Sequence, residues 1–314
     1  MFGLLKKTAV AKGRVGLAWQ GDQLAIAVVR REAAGTAILE RCELLPLAGA
    51  DAADRYQLAL QGAGLPRMPI SCALQSADYQ LVQVEAPDVP PAELRAAMRW
   101  RLKDLIDTRI EDAVIDVFAV PSQARATQGK LMYAVAARRN VIEAVSATLA
   151  GFPLFDVVDI PELCLRNVLA LLPAAKGGVA LLHLAERTAS VVVVRGSTFY
   201  FSRKMPLQSA MDMNAAGDAD AVPIDAASVV LELQRSLDYY ERQFDQPPIT
   251  KLVVAPLGQR AQTLADDLIR ETGFEVTTLD LNSLLSCTTA VPAEAQDALL
   301  YAVGAALREE HRTL

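Results

Sequence analysis

Residues 179–207, VALLHLAERTASVVVVRGSTFYFSRKMPL, constrain the fold more than any other part of this chain. Residues 179–184 are a nearly continuous apolar run, 190–194 a second run rich in β-branched residues, and 198–201 follow a turn centred on Gly196. Short runs of this kind, bounded by turn residues, read as three buried strands joined as a meander. Residues 14–43 repeat the pattern with RVGLAW, LAIAVVRRE and TAILERCELL, turning at Gln20-Gly21-Asp22 and at Ala34-Gly35. One meander stands near the start and its counterpart past the middle, so the sequence predicts two sheet-based halves.

A length of 314 residues fits about two domains, and 52% apolar residues at a mean hydropathy of +0.23 supply large cores. No apolar run approaches the ~18 residues of a membrane helix. The opening MFGLLKKTAVAKGR is too short in its apolar part for a secretory signal, which predicts a cytoplasmic protein. Its basic residues Lys6, Lys7, Lys12 and Arg14 read as a solvated tail, the functional alternative being weak attraction to anionic lipid. A net charge of −6 and pI of 5.1 argue against a nucleic-acid partner, because neutralising phosphates takes a basic face. Cys42, Cys72, Cys164 and Cys287 form no CxxC pair and read as reduced thiols, those at 72 and 164 in the core. With only His183 and His311 present, a zinc site or a His-based triad is not expected, and His183 reads as a satisfied core or edge histidine.

Between the meanders the pattern alternates. A helix is predicted at 51–62, strands at 70–75 and 79–84, and a helix over 92–107 with Leu94, Met98, Leu102 and Leu105 on one face. Trp100 projects opposite that stripe, and the preferred reading buries it against a neighbouring subdomain. Strands at 113–120 and 130–137, a helix at 141–150, a strand at 155–160 and a Pro-started helix at 161–172 follow. After the second meander come a polar loop at 209–223, a helix at 225–244, a strand at 251–255, a helix at 258–270, a strand at 275–279 and a helix at 295–309. Gly304 in that last helix permits close packing against a helix or the sheet.

The order of ELRAAMRWRLKDLIDTRIEDAVIDVFAV, LMYAVAARRNVIEAV, LQRSLDYYERQF, LVVAPLGQ and YAVGAALRE resembles the PilM family of pilus-assembly proteins over nearly the whole chain. The resemblance implies an α/β, actin-like fold close to FtsA and PilM: tandem RNase-H-like subdomains with an SHS2-type insert. The implied boundaries are 1–77 for part of the first subdomain, 78–152 for the insert, 153–177 for the return, and 178–314 for the second subdomain with a small insert at about 208–248. Members of the family bind ATP and the N-terminal peptide of the inner-membrane protein PilN, between the first subdomain and the insert.

At the matching nucleotide positions this chain departs from the family. Ala18 and His183 stand where loop aspartates are found, Gln20 and Ala185 where glycines are, and Ala25 replaces a basic residue; only Gly258 remains of the Gly-rich adenosine turn. Phosphate approach needs glycine and magnesium needs a carboxylate. The resemblance therefore implies a degenerate cleft lined by Ala18, Gln20, Gly21, His183, Ala185 and Gly258, with no catalytic residue, no metal and no cofactor. The expected role is a pseudo-ATPase scaffold at the inner membrane, held there through a PilN-like partner and in contact with other pilus subunits. The alternative is a genuine Mg-ATP-binding ATPase of pilus or type II secretion assembly, with Asp22 and Glu186 as displaced carboxylates. Tyr79, Leu81, Trp100, Lys103 and Asp104 are the expected lining of the partner groove.

Overall fold

In the computed structural model, residues 13–309 are described apart from 33–34, 48–51, 91–92, 122–130, 186–187, 208–223 and 256–257. The Lys6, Lys7 and Lys12 cluster, Glu186, His311 and the 209–223 loop lie outside the described residues.

Both meanders form as three antiparallel strands, β1 (Gly13–Gln20), β2 (Gln23–Arg31) and β3 (Ala37–Pro46), then β9 (Val179–Leu184), β10 (Thr188–Arg195) and β11 (Thr198–Pro206). Each is extended by two parallel strands beside its first strand. In the first half these are β4 (Ile70–Ala73) and β8 (Phe155–Asp159); in the second, β12 (Lys251–Ala255) and β13 (Glu275–Thr278). The two sheets thus share one strand order, third-second-first-fourth-fifth, and the fold is a duplication. Continuous apolar runs such as VALLHL, buried at every position, are what a strand covered on both faces requires.

The halves are locked by exchange of helices. α4 (Pro161–Leu169), which ends the first half, lies on β10 and β11, whereas α8 (Gln296–Ala306), which ends the second, lies across β1, β2 and β4. α8 makes its closest approaches at two glycines, Gly16 of β1 beneath it and its own Gly304 against α4. A Cβ on Gly16 of β1 would sit 1.9 Å from the Ala302 carbonyl oxygen, and one on Gly304 2.3 Å from that of Cys164. Only a missing side chain lets backbones approach so closely. A two-residue strand, β14 (Ser286–Cys287), also crosses over, pairing with β3 after the short α7 (Leu281–Leu284).

Between β4 and β8 the chain builds a separate three-stranded sheet of β5 (Tyr79–Glu85), β7 (Leu131–Arg138) and β6 (Ala113–Ala119), in that order. α2 (Leu94–Leu102) covers its outer face, and α3 (Arg139–Thr148) returns beside α1 (Ala52–Gly62) on the first sheet. Strand alternation splits this sheet cleanly. Val84, Val117, Ala134 and Ala136 meet Met98 and Leu102 of α2, while Tyr79, Tyr133 and Ala137 face the body. The second half is completed by α5 (Ala226–Phe244) and α6 (Gln259–Glu271).

Three sequence expectations are corrected. The helix predicted over 92–107 stops at Leu102, where a turn begins; Ile106 takes the buried place assigned to Leu105, which is 54% exposed. Trp100 is 78% exposed rather than packed. α2 is the outermost layer on the insert sheet, so its second face has no neighbour among the described residues. Arg14 belongs to the core, not to a tail: its guanidinium donates to Ser71 Oγ at 2.6 Å and pairs with Asp156 at 2.7 Å.

Candidate nucleotide cleft and partner surface

In parallel sheets ligands are taken at the carboxyl ends of the strands. There the register sets Ala18, Ala73 and Asp159 in one row of the first sheet, and His183 beside Ala255 in the second. Ala18 is buried against Ala25 across the hairpin, and Gln20 leads into a turn at which Gly21 takes φ +58° and Asp22 stands exposed. In the second loop the Ala185 amide closes on the Thr188 carbonyl at 2.8 Å, and the Arg260 guanidinium donates to the Ala185 carbonyl at 3.2 Å. Gly258 is extended, exposed and unobstructed where it caps α6, so nothing local demands a glycine there. The six residues therefore sit at the ends of both halves, but neither phosphate loop presents an aspartate at the matching position.

α8, and Arg308 two residues past its end, bring the chain's own polar groups to this region. His183 is buried, with Nε2 3.1 Å from Asp297 Oδ1 and Nδ1 3.4 Å from the Tyr301 hydroxyl. Burial, with Asp297 and Glu162 close by, pushes the Tyr301 phenol well up. Arg308 pairs with buried Asp159 at 2.6 Å, and Asp159 also accepts from the Ile160 amide at 2.9 Å. One turn on, the Tyr79 hydroxyl donates to Glu162, whose acidity burial has weakened, raising its pKa above the ordinary 4.5. Asp159 and Glu162 escaped the sequence reading. Their only signal is local, a strand ending in Asp followed by a Pro-started helix with Glu in its first turn, DIPE. Among the described residues no group of three or more His, Cys, Asp or Glu is placed to hold a metal. Burial likewise pushes the Cys72 and Cys164 thiols up, which leaves them in the unreactive protonated form.

The five expected groove residues are not brought together. Tyr79 is buried on the inner face of the insert sheet, with the Lys204 ammonium 5.9 Å from its ring centre, and Leu81 is half-buried on that same face. Trp100, Lys103 and Asp104 lie on or just after α2, on the opposite side of the sheet and in solvent. The spacing of Met98 and Leu102 gives α2 its buried stripe, but nothing in it tells which side of the sheet α2 takes.

The inner face instead bolts the insert to the second half. The Phe118 and Tyr133 rings stack at 5.2 Å, Phe199 of β11 meets Tyr133 edge-on at 5.2 Å, and the Tyr133 hydroxyl donates to the Tyr200 carbonyl at 2.7 Å. Tyr239 of α5 donates to Gln83 Oε1 at 2.8 Å.

This duplicated architecture, with its exchanged helices and an insert in the first half, is the actin-like fold. No protein-family model matches the chain, and no curated protein matches it. Among solved structures it is similar to that of the PilM–PilN type IV pilus biogenesis complex, at a TM-score of 0.67 and 20% identity over 94% of this chain and 98% of that one. It is also similar to a Bacteroides thetaiotaomicron protein with an actin-like ATPase fold, at a TM-score of 0.51 and 7% identity over 95% and 99% of the two chains. The cytoplasmic domain of EpsL, an inner-membrane component of the Vibrio cholerae type II secretion system, matches at a TM-score of 0.44 and 17% identity over 91% and 93%.

Proposed function

We propose that this chain is a PilM-like scaffold of a type IV pilus assembly machine, placed at the cytoplasmic face of the inner membrane by the N-terminal peptide of a PilN-like membrane protein. The observation that carries this reading is the near end-to-end likeness to the PilM–PilN structure, insert included. No described helix is long and apolar enough to cross a membrane. In this reading attachment comes through the partner. The finer assignment, to an MSHA-type pilus and the role of its biogenesis protein MshI, rests on the sequence stretches that resemble that family. Partner contacts fall to the outer surface of the insert, where Trp100 and Leu105 leave apolar area in water beside Lys103 and Asp104. Tyr79 and Leu81 serve the fold.

In this proposal the protein is a pseudo-ATPase without cofactor. Ala18 in place of a carboxylate, side chains at Gln20 and Ala185 in place of glycines, and the engagement of His183, Asp159 and Glu162 by α8, Arg308 and Tyr79 support that reading. The second reading is a working Mg-ATP ATPase of pilus or secretion assembly, and what favours it is Asp22, exposed on the first loop. Calorimetric titration with Mg-ATP and a phosphate-release assay separate the two: millimolar or undetectable binding is expected, and a low-micromolar Kd with phosphate release abolished by Asp22→Ala would favour the ATPase. Titration with N-terminal peptides of single-pass inner-membrane pilus proteins tests the scaffold itself, which falls if none of them binds.

A further inference from the structure

The edge of the first sheet is only partly closed. β14 pairs with β3 at Ile38 and Leu39, and the Thr288 amide reaches the Leu39 carbonyl at 3.0 Å; from Arg41 to Pro46 no strand covers the edge among the described residues. Along this stretch runs a groove of 280 Å³ between β3 and α1, lined by Arg41, Glu43, Leu45, Leu58, Ala59 and Ala63. Leu58, on its α1 wall, is 65% exposed. Open main-chain donors and acceptors beside an apolar slot make the arrangement that accepts an added strand, hydrogen bonds giving affinity and the slot selecting alternate side chains.

We propose that this edge is a second docking site, separate from the insert, and that its occupant is an extended segment of another protein, about five residues long, with a basic side chain facing Glu43 and an apolar one facing Leu45 and Leu58. Charge decides the occupant. A second copy of β3 would have to pair antiparallel within residues 41–45, which sets Glu43 opposite Glu43, and like charges directly opposed are unfavourable. Shifting one register brings Pro46, which has no N–H, into the ladder; shifting the other way collides with β14. Arg41 and Glu43 pair with each other on the groove side, each about a third exposed, so a cation facing Glu43 adds to that pair while an anion there is repelled.

The test uses the blocked hexapeptide Ac-Thr-Leu-Thr-Lys-Thr-Leu-NH2, its analogue with alternate backbone nitrogens methylated, and amide and methyl NMR of the full chain. Expected are saturable shifts confined to the Arg41–Leu45 amides and the Leu58 methyls with a Kd below about 1 mM, and no binding of the methylated analogue. Leu58→Asp, at an exposed position that leaves folding intact, weakens binding about tenfold or more, while Trp100→Ala leaves it unchanged. Equal binding of the methylated peptide, shifts centred elsewhere, the absence of saturable shifts, or self-association through β3 in sedimentation overturns the proposal.

Discussion

Two of the contacts that join the halves are built in opposite ways. At the α4–α8 crossing the approach is backbone to backbone: Gly304 lies over Cys164, and the Asn167 side chain donates to the Gly304 carbonyl at 2.9 Å. At the insert, side chains reach across: Tyr133, Phe118 and Phe199 in a ring cluster, Tyr239 to Gln83, and Lys204 over Tyr79. A contact of the first kind has no slack, because neither partner can change rotamer. One of the second kind is a set of separable interactions, each of which can be weakened alone. The first fixes the spacing between the halves, and the second holds the insert against the second half.

The sharpest way to break this contrast is Gly304→Ala. In a helix the change is worth about 1 kcal/mol in favour of Ala. Here the new methyl meets the Cys164 carbonyl group, with oxygen at 2.3 Å and carbon at 2.6 Å, and the cost should exceed the 1–3 kcal/mol usual for overpacking. Loss of the cooperative thermal transition, or a large fall in its midpoint, is expected; an unchanged midpoint would mean that the crossing yields after all.

Tyr133→Ala comes next, at about 3 kcal/mol, as an aromatic deletion from a packed cluster that also removes the 2.7 Å bond to Tyr200. Because the contact is separable, hydrogen exchange should rise in the insert and in β11 while the amides of α8 stay protected. Uniform loss of protection would show that the two contacts act as one.

A smaller effect sharpens the chemistry at the foot of the insert. Burial raises the pKa of Glu162 in the folded chain, so the folded state holds a proton more firmly than the unfolded state does. Stability from this group is therefore full below the ordinary 4.5 and declines as pH rises through the folded value. Glu162→Gln keeps an oxygen to accept from Tyr79 and removes the titration. The stability difference, variant minus parent, should grow as pH rises from 4 toward 8 in denaturant titrations, and a difference that is flat with pH would assign no titration to Glu162.

How much of this was legible in the sequence follows from the range of each interaction. The buried strands were, because apolar runs such as VALLHL and LAIAVVRR carry their environment in their own residues. So was the stripe Met98 and Leu102, and the small-residue character of Gly304. The partners were not: Arg308 meets Asp159, Tyr133 meets Tyr200 and Tyr79 meets Glu162 across long stretches of chain with no local pattern to announce them. The cleft loops could be placed by their position after the first strand of each meander. The polar groups brought to the cleft come from α8 and Arg308, and no spacing rule points from Tyr301 to His183. The five residues expected to line the partner groove are split between two sides of the insert sheet for a related reason, since periodicity shows that a helix has two faces but not whether the second is covered.

Trp100→Ala is the smallest change in stability and the most informative about function. A side chain 78% exposed makes few contacts to lose, so substitution should move unfolding free energy by no more than about 0.5 kcal/mol. Water contact on a large indole is nonetheless unfavourable, and an exposed Trp, with a second exposed apolar residue five positions on at Leu105, is the kind of anchor that carries a disproportionate share of a binding interface. If the outer face of the insert receives the membrane partner, affinity for the partner's N-terminal peptide should fall by about 2 kcal/mol, close to thirtyfold, with the thermal midpoint unchanged. Tyr79→Ala should do the reverse, lowering stability by removing the Glu162 and Lys204 contacts while leaving affinity for the peptide nearly intact in the fraction that remains folded. Should Tyr79→Ala and not Trp100→Ala abolish binding in folded protein, the peptide lies on the inner side of the insert, and the exposed tryptophan belongs to some other contact.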